Sequence, residues 1–220
     1  MAFRKSLALA CVLGTASLLN AQTSNPDRIV RDHTIVSEHD PRVTITIPKQ
    51  ALYVGANRWI LYDVADCEQY VFVEADADKV VQRLYWIQFE AYVPSRPELK
   101  HNYTDPVQQI QGINFYVKSH FGGIEEWDGP GSDMERVHKM LQSAGFIAPK
   151  GIMFGRFVHL PDPQMRKELM VIYAENLDSM GIAWKDLMPG DKSADRWPQF
   201  EKELVQRTSE RVHFSQFSDK

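Results

Sequence analysis

The side chains best suited to chemistry fall in residues 80–93. Read as a strand, this segment places Tyr85, Ile87, Phe89, Ala91 and Val93 on an apolar face and Leu84, Trp86, Gln88, Glu90 and Tyr92 on a mixed one. A face open to water would be more polar, and a core face would not carry a carboxylate. Apolar walls with a few polar handles are the make-up of a ligand cavity. Trp59, Leu61 and Asp63 repeat the pattern on an earlier strand. Trp86, Gln88, Glu90, Tyr92 and Trp59 are therefore the ligand-binding candidates. Glu90 or Asp63 is the candidate acid or base, with His159 as a histidine to stand nearby, since acid–base chemistry needs only one or two such groups in a dry cleft. A carboxylate among aromatic rings needs a cation or several donors to hold its charge. Arg156 interrupts the apolar positions Ile152, Phe154, Val158 and Leu160 in the same way, and is the expected partner of Glu90 and a further ligand-binding candidate. The same pattern also fits a second, helix-covered core with Gln88 and Glu90 near its edge. Which side chains share a face depends on register, because a slip of one residue turns them all over.

Other chemical motifs fail on spacing. Glu74-x-Asp76-x-Asp78 opens like a calcium loop, but the sixth and twelfth positions are Lys79 and Tyr85, where glycine and a carboxylate are required. The segment reads as a hairpin tip. Seven histidines are scattered singly, without Cys-x-x-Cys or His-Glu-x-x-His, so no metal is expected. His33, His39 with Asp40, and His101 with Asp105 could meet only through the fold. There is no Gly-x-Ser-x-Gly nucleophile turn, and His120-Phe121-Gly122-Gly123 without it reads as a flexible corner. No glycine-rich phosphate cradle is present, and no cofactor is expected. Cys67 has Asp63, Asp66 and Glu68 for neighbours, which oppose a thiolate, so it reads as a small buried residue. Asn102-Tyr103-Thr104 is a glycosylation acceptor triplet.

The elements that must position these groups follow from periodicity and punctuation. Val43, Ile45 and Ile47 alternate with Thr44 and Thr46, a half-buried strand stopped by Pro48. Residues 58–64, 69–74 and 80–93 are the next strands, the last two joined as a hairpin, and Pro94 and Pro97 end the run. Residues 113–118 and 152–160 are further strands. A helix starts at Ser132, which caps it with Glu135 three residues on, and Gly145 ends it. A second helix spans about 198–212, with Trp197, Phe200, Leu204, Thr208 and Val212 as its inner stripe. Residues 165–177 fit a helix with Met165, Leu169 and Ile172 on one face, but Val171-Ile172-Tyr173 favours a strand. Strand runs broken by isolated helices give an α+β class: a curved, mainly antiparallel sheet with two helices packed on one face.

Arg4 and Lys5, an apolar run to Leu19 and the polar stretch after Ala21 have the order of a secretory signal peptide. The expected organisation is signal peptide 1–21, polar lead-in 22–41 and one α+β domain, 42–220. The mature chain keeps 23 basic and 29 acidic side chains, a net charge of −6. That excess of acid gives no footprint for nucleic acid or an anionic membrane, and no later segment is long and apolar enough to span one. Cys67 is the only cysteine left, so packing and not a disulfide must hold the domain.

The reading is a secreted or periplasmic, water-soluble binding domain that holds a small, partly apolar ligand against an aromatic-lined sheet face. A secreted hydrolase or isomerase using a carboxylate is the alternative, and a cell-envelope protein-interaction module the third. Intact-mass analysis of exported material should show a chain starting within a few residues of Gln22. A species that keeps Met1, or carries lipid on Cys11, contradicts the leader assignment.

Overall fold

The structure, a computed structural model, describes residues 25–127 and 129–216, so the leader lies outside the described residues. The strands are β1 (Ile29–Arg31), β2 (Thr34–Ser37), β3 (Val43–Thr46), β4 (Leu52–Leu61), β5 (Ala65–Ala75), β6 (Val81–Tyr92), β7 (Val107–Ile110) and β8 (Ile113–Gly123). Helix α1 (Asp133–Ser143) follows, then β9 (Gly151–His159), β10 (Lys167–Asn176), α2 (Trp197–Arg211) and β11 (His213–Gln216). Two antiparallel meanders, β4–β5–β6 and β7–β8–β9–β10, join where β10 pairs with β6, giving a seven-stranded sheet in the order β4-β5-β6-β10-β9-β8-β7. A smaller sheet runs β1-β2-β3-β11. The α+β class with antiparallel strands is as expected.

The large sheet is buried on both faces, by different covers. Tyr85, Ile87 and Phe89 of β6 lie with Leu169, Val171 and Tyr173 of β10 against the small sheet and against Phe200 and Leu204 of α2. Val71, Trp86, Ile172 and Phe154 on the other face pack against Met134, Val137 and Leu141 of α1. The two helices therefore sit on opposite faces, not on the same one. Each carries an apolar stripe, and a stripe says only that a helix docks, not where.

Local chemistry sets most boundaries. Ser132 Oγ accepts from Glu135 N at 3.1 Å, while Glu135 reaches back to Gly131 N at 2.7 Å, a capping box displaced by one residue. Asp76 Oδ1 accepts from Asp78 N and Val80 N and so closes the β5–β6 turn, which is the work of the abortive calcium motif. β4 runs earlier than its pattern suggests and ends in a turn where Tyr62 and Asp63 take φ of 48° and 58°. Residues 120–123 continue β8 and are not a corner. Gly123 and Gly151 face each other across β8 and β9, and a Cβ on either would come within 3.1–3.2 Å of Trp184. The stretch read as a lead-in supplies β1 and β2.

The start of the described chain is pinned by charge. Arg28 Nη1 lies 2.6 Å from Glu68 Oε2, both side chains almost wholly buried, and its guanidinium stacks 3.7 Å from the centre of the Phe89 ring. Tyr70 donates its hydroxyl to the same carboxylate. Breaking a buried pair strands a charge, so Arg28→Met or Glu68→Leu alone should destabilise by about 3–5 kcal/mol, and the double variant by much less. Denaturant melts of the four proteins check this; additive losses would contradict the pairing.

Candidate functional site

Strand register builds the site. Trp59 pairs with Cys67, Cys67 with Glu90, and Glu90 with Glu168, so one row of side chains crosses β4, β5, β6 and β10 on the face that α1 covers. The next row is Asn57, Gln69, Gln88 and Met170. Side chains directly opposite on antiparallel strands have Cβ atoms about 4.5–5.5 Å apart, so the two carboxyl groups are neighbours by construction.

Two segments close over the row. Asp133, the first residue of α1, accepts a hydrogen bond at Oδ2 from Gln88 Nε2 at 3.1 Å, and its carbonyl accepts from Gln69 Nε2 at 3.4 Å. Arg136, one turn on, lies 4.4 Å above the Trp59 ring. The loop after β6 brings His101 and Tyr103 from the other side. Arg166 holds that loop by donating Nη1 to the carbonyls of Arg96 and Leu99, both at 2.8 Å. His101 then stacks on Tyr92 at 4.5 Å and places Nδ1 3.0 Å from Glu168 Oε2, and Tyr103 donates its hydroxyl to that same oxygen at 2.6 Å.

The two glutamates thus stand in unlike surroundings. Glu168 has a histidine and a phenol, whereas Glu90 Oε2 has only longer contacts, Cys67 Sγ at 3.4 Å and Gln88 Nε2 at 3.5 Å. Burial, and then the charge of Glu168, push the Glu90 carboxyl up to about 7, against the pull of His101 and the Cys67 thiol. Burial alone would push His101 down, but its bond to Glu168 and the charges of Glu168 and Glu90 outweigh that and raise it. Asp133 is raised by burial despite Gln88. Burial, then Glu90 and Asp133, raise the Cys67 thiol. Cys67 is therefore a proton donor to Glu90 and not a thiolate. Its buried, unpaired state matches the sequence, but the acids that govern it come from β6 and α1.

Of the residues singled out by pattern, the structure brings together Trp59, Trp86, Gln88, Glu90 and Tyr92. Trp86 Nε1 donates to Gln88 Oε1 at 3.0 Å, and the two tryptophans are 1% and 4% exposed, so the aromatic face is covered and not an open patch. The expected Glu90–Arg156 pair does not form. β10 lies between their strands, and Arg156 Nη2 bonds Asp105 Oδ2 at 2.9 Å instead, over the Tyr103 ring. Asp63 is exposed in the turn after β4. His159 lies on the opposite face, Nδ1 3.0 Å from the Asn114 carbonyl and its ring against Phe115, with burial lowering its proton affinity. The pattern missed Glu168, Tyr103, Gln69 and Asp133, and it gave no reason to choose His101 over the other scattered histidines. Only Glu168 left a signal: it interrupts the apolar face Met170, Ile172, Ala174 just as Glu90 interrupts its own.

Among the described residues no group of three or more His, Cys, Asp or Glu is arranged to hold a metal ion, and no helix is long and apolar enough to cross a membrane. Trp59 Nε1, Gln69 Oε1, His101 Nε2 and Asp133 Oδ1 are buried without a protein partner. No protein family, curated protein or solved structure matches the chain.

Glu90 holds its proton more tightly in the fold than at its ordinary value of 4.5. The stabilisation this gives is complete below about pH 4.5 and is lost as pH rises through about 7. His101, also raised, loses its contribution in the same direction. The melting temperature should therefore fall between pH 5 and pH 8. Glu90→Gln should flatten that fall and be the more stable protein at pH 8. A wild-type curve that is flat over this range would contradict the assignment.

Proposed function

We propose that the α1-covered face is the working site of an exported acid–base enzyme, of the hydrolase or isomerase type, that acts on a small, partly apolar molecule. The observation that carries this reading is the Glu90–Glu168 cross-strand pair. Of these two neighbouring carboxyl groups, Glu168 is engaged by His101 and Tyr103 while Glu90 is left to burial, which raises its proton affinity, and such unlike surroundings are the usual arrangement of an acid and a base. Glu90, poised near neutrality, gives and takes the proton, backed by the Cys67 thiol and the Gln88 amide. The Glu168–His101–Tyr103 group holds compensating charge beside it. Tyr92, half-buried and stacked on His101, supplies an apolar wall, while Trp59 and Trp86 are buried in the packing of the same face. Export rests on the leader order in residues 1–21.

A binding domain without turnover is the second reading, favoured by the unpartnered Trp59 indole N–H and the Gln69 and Asp133 oxygens, which a ligand with its own donor and acceptor would satisfy. One experiment separates the two. Wild type, Glu90→Gln and Glu168→Gln are assayed from pH 5 to pH 9 against chromogenic esters, amides and lactones, with binding of the same compounds followed by ligand-observed NMR. The enzyme reading expects turnover that changes with a group titrating near pH 7 and falls by roughly a hundredfold or more in Glu90→Gln while the fold is kept. Binding to wild type without turnover would replace it by the binding reading. Turnover untouched by Glu90→Gln would sink the assignment of Glu90.

A further inference from the structure

β4 is an edge of the seven-stranded sheet: β5 takes one side of it, and no described strand takes the other. An unpaired edge of this length presents a row of free backbone N–H and C=O groups and needs protection. Here it is not capped by apolar burial. Leu52, Tyr53 and Ile60 are 55%, 44% and 43% exposed. A groove of about 510 Å³ runs along this edge, with residues 54–57 on one wall and Arg136, Lys139, Met140 and Ser143 of α1 on the other.

The groove's chemistry is specific. Its walls contain two cations and no acid. Lys139 is already bonded to Glu135 at 2.6 Å, so Arg136 is the cation it offers. Arg136 Nε on the helix wall and Asn57 Oδ1 on the strand wall are both buried without a protein partner. One is a donor and the other an acceptor, the pair of groups that an amide would use, while a carboxylate would bond Arg136 alone. Spacing agrees with an extended chain: Arg136 and Met140 are four helical residues apart, about 6 Å, while alternate residues of a strand are about 6.8 Å apart. A Cβ on Gly55 would stand 3.7 Å from Met140 Sδ, ordinary contact distance, so strand and helix lie close to each other there.

We propose that the β4–α1 groove takes an extended segment of another polypeptide as an added strand, with an acidic side chain against Arg136 and an apolar one two residues along against Met140. Backbone pairing with β4 supplies affinity that is independent of sequence, and the two wall residues supply selectivity. The inference does not depend on the chemistry assigned to Glu90.

The test uses fluorescein-labelled peptides of about seven alternating threonine and valine residues, with glutamate or lysine in place of one valine, and anisotropy as the readout. The glutamate peptide should bind at least about tenfold more tightly than the lysine peptide, and Arg136→Glu should reverse the preference. N-methylation of alternate amides should abolish binding in one register and spare it in the other, because only alternate amides face the edge. Ser143→Trp, at an exposed wall position away from the core, should block binding with the melting temperature unchanged, and serves if Arg136→Glu does not fold. Failure of the glutamate peptide to bind, equal binding of both charges, or indifference to N-methylation in both registers overturns the proposal. So does a dimer, seen by light scattering, in which β4 of a second copy fills the edge.

Discussion

Every later feature of this molecule depends on the β6–β10 ladder. It joins a three-stranded meander to a four-stranded one, and its register sets Glu90 against Glu168 and Tyr85 against Tyr173. No tight turn fixes that register, because β7, β8, α1 and β9 lie between the two strands in the chain. The two faces fix it instead. One receives the small sheet and α2, the other α1. A slip of one residue would drive Gln88 and Glu90 into a core of Ile35, Ile45 and Phe157, away from the groups that now bond them, and would turn Tyr85 and Ile87 onto the face under α1. The polar row is thus part of what makes the pairing unique.

This explains what the sequence could disclose. β3 and β6 alternate because each sees a different environment on its two sides, and alternation is legible at once. β10 is apolar on both faces from Leu169 to Ala174, so period-two contrast disappears and helix and strand compete on equal terms. Glu168 was therefore invisible as a partner of Glu90, although its position in its own strand mirrors that of Glu90. His101 and Tyr103 belong to a loop with no periodicity. Their place is fixed by Arg166 gripping four carbonyls, from Tyr92, Val93, Arg96 and Leu99, a contact between segments about 70 residues apart. Arg156 was legible as an interruption in an apolar face, but its partner Asp105 lies on that same kind of loop. The short strands β1, β2, β7 and β11 have three or four residues each, and among the short strands it is β3 that sits in a longer strict alternation, Val43 to Ile47.

The chemistry of the α1 face changes sharply from one strand to the next. Along the row Asn57, Gln69, Gln88, Met170, Val158, the side chains are amides on β4, β5 and β6 and hydrocarbon or thioether on β10 and β9. Met170 and Val158 share one buried cluster with Met134, Val137 and Leu141 of α1. Stability alone would favour extending the Met170–Val158 pattern across the sheet, since buried ionisable groups are often no better for the fold than apolar residues of similar volume. Here the less stable choice is concentrated in one place, next to Glu168 and under the first turn of α1. Asp133 sits there with its carboxyl at the positive end of the helix dipole, yet burial still raises its proton affinity. Nor is the polar set closed upon itself, since the donor of Trp59 and the acceptors of Gln69 and Asp133 are left over. A structural polar network gains specificity by satisfying all its members. One that keeps free donors and acceptors beside a carboxyl titrating near neutrality is arranged to receive something that the chain itself does not supply.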